Sequence, residues 1–142
     1  MDWSDWIVAA AMHPVVLVGA GSAVGGNLRY WLGRWIDSQL WCGGWPWGTF
    51  VINVSGSLLL GFFAVAFLER LTPARRDLYL LLGTGLCGGY TTFSTFEWDT
   101  FKLIREGDWQ SAFANIGGSV LAGFLGVVVG VYLAYLFLGR SE

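Results

Sequence analysis

The sequence predicts an all-α membrane protein, a single integral membrane domain of four transmembrane helices with the third broken near its middle. Three observations carry that expectation. Of the 142 residues, 55% are hydrophobic and only 13% charged, where a soluble domain averages roughly 25% charged. Mean hydropathy is +0.57, and the apolar residues gather in four blocks free of Asp, Glu, Lys and Arg: Trp6 to Leu28, Ser38 to Leu68, Leu78 to Phe96 and Trp109 to Gly139. The third block is interrupted by Gly83, Gly85, Gly88 and Gly89, then by Tyr90, Thr91, Thr92 and Thr95.

In chain order, residues 1–14 read as an interfacial N-terminal extension. The chain opens with Asp2 and Asp5 and has no Lys or Arg before Arg29, so it lacks the positive start of a secretory signal. A spanning helix needs about 20 apolar residues at 1.5 Å rise each, which places the spans at about 15–34, 46–69, 76–104 and 110–138. Trp31, Trp35, Trp41, Trp45 and Trp47 crowd the first connection, and indole rings favour the headgroup level. Small residues four apart, Gly21 and Gly25, Ser57 and Gly61, and Ala122, Gly126 and Gly130, permit close helix packing where lipid supplies no hydrophobic drive between helices.

The glycines of the third span each cost ~1 kcal/mol relative to Ala inside a helix, and a break at 88–92 follows. At 1.5 Å per residue, Leu78 to Cys87 would cover ~15 Å and Phe93 to Arg105 ~20 Å, which puts the break near mid-bilayer. Unwound backbone at that depth needs protein, water or an ion to satisfy its carbonyls and amides, and oxygen ligands of that kind suit a hard cation. Thr92, Ser94 and Thr95 add hydroxyls. Phe93 and Phe96 fall on one helical face, and ring edges are electropositive enough to face an anion without carrying charge. Asn53, in the middle of the second span with Ser55 and Ser57 nearby, needs partners wherever it is buried; an interhelical bond that only holds the bundle together explains it equally well. Asn115 and Ser119, four apart, extend a polar face on the last span.

Composition excludes several functions. Eight Lys and Arg against ten Asp and Glu leave no basic surface for nucleic acid. Cys42 and Cys87, two and far apart, make neither a disulfide framework nor a zinc motif. His13 is the only histidine, and no nucleophile, base and orienting group can be assembled, so the chain is not an enzyme. Arg70, Arg75, Arg76 and Arg140 on one side balance Arg29, Arg34, Lys102 and Arg105 on the other. The positive-inside rule therefore gives no orientation. A chain inserting both ways up, forming an antiparallel dimer, and a single orientation set by another cue are equally open on charge alone.

Taken together, Arg29-Tyr30, Gly48-Thr-Phe-Val-Ile-Asn53 followed by Gly56, and Gly85-Leu-Cys-Gly-Gly-Tyr-Thr-Thr-Phe-Ser-Thr-Phe96 resemble the Fluc/CrcB fluoride channels, from about Val16 to about Leu138. The resemblance implies an antiparallel, dual-topology homodimer in the cell (inner) membrane, multi-pass in the lipid bilayer, exporting fluoride passively through two pores. It also implies a central structural Na⁺ held by the backbone carbonyls of Gly88 and Thr91, each chain giving half the site. By position, Phe93 and Phe96 would line the pores, Asn53 and Ser94 would flank the fluoride path, Ser119 would belong to a polar track on the last helix, and Arg29 would sit at the pore entrance. Gly123 departs from the Ser or Thr of many members, and Asp99 from their Glu. Two other functions are compatible with four short spans, a proton-coupled small multidrug-type exporter and a membrane-embedded assembly protein. The exporter needs an embedded carboxylate, for which only Glu97 and Asp99, near the end of the third span, are candidates.

Overall fold

Pro14 fixes where the first long helix begins, since its missing N–H costs nothing at a first helical position. The His13 ring caps that start, its Nδ1 accepting from the Val15 N–H at 3.3 Å. The structure is a computed structural model that describes residues 2–4, 10, 12–40, 44–69 and 73–139. Half of the expected N-terminal extension, together with Trp41, Cys42, Arg70 and Arg140, lies outside the described residues.

Six α-helical segments follow in order: α1 (Pro14–Gln39), α2 (Trp47–Phe63), α3 (Pro73–Leu78), α4 (Gly88–Tyr90), α5 (Phe93–Arg105) and α6 (Trp109–Leu138). Ala64–Leu68 continues α2 with π-helical winding, and Tyr79–Cys87 joins α3 to α4 in the same way. The described residues thus form four helical regions and no strand. Two helices among them are long and apolar enough to cross a membrane, Trp47–Leu68 with 22 residues and Trp109–Leu138 with 30. α1 has the length but carries Arg29, Arg34 and Asp37 in its second half, and the third region is divided among α3, α4, α5 and the π-helical stretch.

Side chains at helix ends explain the boundaries. Asp37, near the end of α1, accepts the Gly48 N–H at 2.7 Å, placing a carboxylate at the positive end of α2. Thr92 caps α5 by accepting the Thr95 N–H at 3.2 Å, and Asp108 caps α6 by accepting the Ser111 N–H at 3.0 Å. Lys102 and Arg105 occupy the last turn of α5, where cations complement the exposed carbonyls. Gly107, at φ 82°, supplies the left-handed residue that turns the chain between α5 and α6.

The bundle is held by backbone approaching backbone. α2 packs along α6, while α1 packs on Tyr79–Cys87 and α4. A Cβ added at Gly130 would strike the Leu58 carbonyl oxygen, and one at Gly61 would lie 2.5 Å from that of Val127. At Gly21 and Gly25 a Cβ would strike the Leu81 and Leu86 carbonyl oxygens. The four-residue glycine spacings therefore lie at the helix crossings, as close packing without side chains requires. Apolar side chains point the other way: Phe113, Phe124 and Phe137 of α6 are at least two-thirds exposed, whereas Asn115, Gly126 and Gly130 of the same helix are buried. An exterior this rich in large apolar side chains departs from the soluble pattern and suits a lipid surround.

The helical winding around the glycines differs in detail from the expectation. Gly88 keeps helical angles at φ −64°, ψ −39°, as does the rest of α4. The extended residues are Thr91 (ψ 159°) and Thr92 (φ −152°, ψ 118°). Contact with α1 supports the glycines in a helical path through Tyr90; the chain leaves it where Asn53 offers Thr92 a better partner.

Candidate functional site

The two extended residues between α4 and α5 leave backbone groups that need partners, and α2 supplies them. The Asn53 carboxamide bonds Thr92 twice: Nδ2 donates to the Thr92 carbonyl at 3.0 Å, and Oδ1 accepts the Thr92 N–H at 2.8 Å. One residue thereby satisfies both backbone groups of the most extended position. Gly56, one turn on from Ile52 along α2, makes room for this crossing, since a Cβ there would strike the Thr91 methyl. Ser55 completes the contact with α4 through a 3.0 Å bond to the Tyr90 hydroxyl.

Beside this junction lies a cavity of ≈ 270 Å³ lined by α2, the Thr91–Thr92 link, α5 and α6. Asn53, Ser57 and Ser119 give it polar groups, Phe93 and Phe96 give it rings, and no charged side chain among the described residues lines it. The two ring centroids are 5.7 Å apart at 42°. Phe96 is 7% exposed and Phe93 74%, so one ring belongs to the interior of the chain and the other projects from it. Gly123 also lines the cavity, and a Cβ there would meet only the Ser57 hydroxyl at 3.6 Å. The space a hydroxyl-bearing side chain would need is present.

A hydrogen-bonded relay stands behind the cavity wall. Thr100 Oγ1 donates to the Phe96 carbonyl at 2.8 Å, which leaves its oxygen to accept from Asn115 Nδ2 at 2.9 Å. Asn115 is thereby turned with Oδ1 toward Ser119, whose hydroxyl donates to it at 3.1 Å. Because a backbone carbonyl can only accept, the whole relay has one polarity. Ser119 spends its single proton on Asn115, and it can donate to anything in the cavity only by turning away.

The remaining expected site residues fall around this centre. Ser94 is exposed and bonds Thr92 Oγ1 at 3.4 Å; it does not line the cavity. Arg29, on α1, reaches across to the Thr91 carbonyl at 3.2 Å and does not line the cavity either. The Gly88 carbonyl lacks the Thr92 N–H that a continued helix would give it, because that N–H goes to Asn53. Around Gly88 the described residues leave open space, with nothing beyond its own helix and chain neighbours within 4 Å of a Cβ placed there.

Residues 16–131 match the family described as CrcB-like protein, Camphor Resistance (CrcB). The chain belongs to the CrcB-like family. It is 41% identical over 128 residues to a Chloroflexus aurantiacus protein named fluoride-specific ion channel FluC, an alignment covering 90% of this chain and 100% of that one. A protein of the same name from Oceanobacillus iheyensis is 42% identical over 131 residues, covering 92% of this chain and 98% of its own. One from Nitrobacter winogradskyi is 44% identical over 124 residues, covering 84% and 93%. Family membership with an apolar exterior makes this CrcB-like chain a membrane protein and not an enzyme.

Sequence reading missed three residues of this CrcB-like site. Thr49 donates to Asp99 Oδ2 at 2.7 Å, and Lys102 pairs with Asp99 Oδ1 at 2.7 Å. Thr100 is the middle of the relay. A helical signal for each was present: Thr49 is four residues before Asn53, Thr100 is four after Phe96 and Lys102 is three after Asp99, so each shares a face with a residue already singled out.

Proposed function

We propose that this protein is a fluoride-selective channel that lets fluoride leave the cytoplasm passively across the cell (inner) membrane, which it crosses with all four helical regions. The observation that carries the reading is the uncharged cavity combining Phe93, Phe96, Asn53 and Ser57 at the helix interruption, in a chain 41% identical over 128 residues to a protein named as such a channel. Fluoride is small and strongly hydrated, so a path must replace its water with donors that hold it without a full opposite charge, strongly enough to enter and weakly enough to leave. One Asn53 N–H is bound to Thr92, which leaves the second for an anion. The ring edges of Phe93 and Phe96 supply the rest of a weak, positive lining.

The working unit is an antiparallel, dual-topology homodimer. The balanced Arg and Lys count supports insertion both ways up, and the open space at Gly88 together with the projecting Phe93 leaves surface for a second copy. Within that dimer the carbonyls of Gly88 and Thr91 would hold a structural Na⁺, with two oxygens from each chain. The Gly88 carbonyl, deprived of its helical N–H, fits that use. The Thr91 carbonyl keeps one lone pair beyond the one facing Arg29. Na⁺ bound there would neutralise the ends of the two interrupted helices and fix the copies together.

The test is fluoride efflux from liposomes containing the purified protein, with valinomycin present to dissipate voltage and chloride efflux measured beside it. Rapid fluoride release without chloride release, abolished in Phe93→Ile, is the expected result. A well-folded dimer that releases no fluoride would overturn the reading. Accessibility of a C-terminal tag from both membrane faces tests dual topology on its own, and loss of the dimer on replacing Na⁺ with a larger cation tests the ion site.

A further inference from the structure

A second cavity, of ≈ 210 Å³, lies between the end of α1, the loop Gly44–Pro46 that leads into α2, and the C-terminal half of α5. Its described lining includes Asp37, Asp99, Lys102 and Glu106. Phe96 lines the first cavity and Asp99 the second, one helical turn apart at about 1.5 Å per residue. Opposite them on α2, Asn53 bonds Thr92 and Thr49 bonds Asp99, also one turn apart. On the fluoride-channel reading, an anion leaving the first cavity past Phe96 would meet Asp99 next.

That carboxylate is poorly placed for anion transport. Its side chain is 9% exposed, so water screens it little, and a bare negative charge there would oppose fluoride in the adjoining cavity. The other two acids are dealt with differently. Asp37 is engaged by the Gly48 N–H at the start of α2, and Glu106 is exposed, where solvent and salt screen it. Lys102 is the one cation among the described lining residues. Its ammonium lies 2.7 Å from Asp99 Oδ1 on a side chain 41% exposed. Resting on the fluoride-channel reading, we infer that Lys102 is a positioning residue for anion passage: it neutralises Asp99, so that the mouth does not repel fluoride.

The inference is tested on the full-length protein reconstituted in liposomes, with fluoride efflux measured at low and high ionic strength, and dimer elution and thermal unfolding followed for every variant. K102Q is expected to slow fluoride by about tenfold at low ionic strength, the scale of one unscreened charge near the path. K102R should retain the wild-type rate, and D99N/K102Q should recover most of it. A folded K102Q that conducts like the wild type, or a folded double variant no faster than K102Q, would overturn the inference. D99N supplies an arm that does not depend on K102Q folding. It keeps an acceptor for Thr49 and leaves Lys102 unpaired, so its efflux should fall more steeply with salt than that of the wild type; an unchanged salt dependence would also overturn the inference. Absence of fluoride efflux from the wild type would instead sink the channel reading, and this inference with it.

Discussion

Asn53 and Thr92 are joined by two hydrogen bonds of opposite sense, 3.0 Å from amide to carbonyl and 2.8 Å from N–H to amide oxygen. A carboxamide can do this without changing its protonation, because it carries a donor and an acceptor side by side. The pairing explains why the chain can leave its helix at Thr92 in an apolar setting without orphaning that residue's backbone.

Asn53→Asp is the sharp test of this pairing. A carboxylate still accepts the Thr92 N–H but sets a second acceptor against the Thr92 carbonyl. Leaving one part-buried group unpaired costs about 1–3 kcal/mol, and the variant should unfold at lower temperature in detergent. It should also lose fluoride efflux, because the added charge stands in the cavity. Asn53→Asp with wild-type thermal unfolding would show that the pairing does not hold the junction.

The relay through Asn115 makes a separate prediction about α5 and α6. Asn115 is 1% exposed, and its amide connects Thr100 to Ser119. Asn115→Ala and Thr100→Val should each destabilise by about 1–3 kcal/mol, since each strands a buried partner. The double variant should cost less than the sum, because the second change removes a group already left unpaired. A double-mutant cycle on thermal unfolding measures this directly; strict additivity would mean the relay is not coupled.

These two contacts mark how far the sequence could be read. The four helical regions were legible because absence of charge over about 20 residues is a strong signal, and the crossings were legible because glycine at four-residue spacing has one main use. Asn53, Phe93 and Phe96 stood out as polar or aromatic residues in improbable company. What composition does not encode is which side chain answers which backbone group. Gly88 to Tyr90 stay helical despite their weak propensity, because α1 packs closely on the glycine-rich stretch, and tertiary contact overrides propensity. Thr49 and Thr100 become partners of Asp99 and Asn115 only through the α2–α5 and α5–α6 packing, whereas Lys102 meets Asp99 within α5, three residues on.

Asp108 gives the fold a pH dependence outside the membrane. The Ser111 hydroxyl and then the Ser111 N–H bond its carboxylate, and both favour the charged form, so its pKa is lowered from the ordinary 3.8. A lowered folded-state value means that its stabilisation is present above the unfolded value and is lost as pH falls through the folded one. Asp108→Asn keeps an acceptor for the cap but cannot titrate. The wild type should therefore unfold at a higher temperature than Asp108→Asn near neutral pH, with the difference shrinking below about pH 4. A difference that does not change with pH would assign the cap to hydrogen bonding alone.

Two glycines separate packing within the chain from the proposed packing between chains. At Gly130 a Cβ would meet the Leu58 backbone, which cannot turn aside as a side chain can, whereas at Gly88 it would meet nothing in the chain. Gly130→Ala should therefore destabilise the fold itself, by about 1–3 kcal/mol as overpacking does. Gly88→Ala should leave the fold of each chain intact and act only where a second copy or an ion approaches the open space. Size-exclusion chromatography and thermal unfolding of both variants distinguish these effects: Gly88→Ala is expected to shift the proposed dimer toward monomer while helical content is retained. If Gly88→Ala remained fully dimeric and conducted fluoride normally, the open space would not be the dimer centre, and the proposed carbonyl site for Na⁺ would have to lie elsewhere.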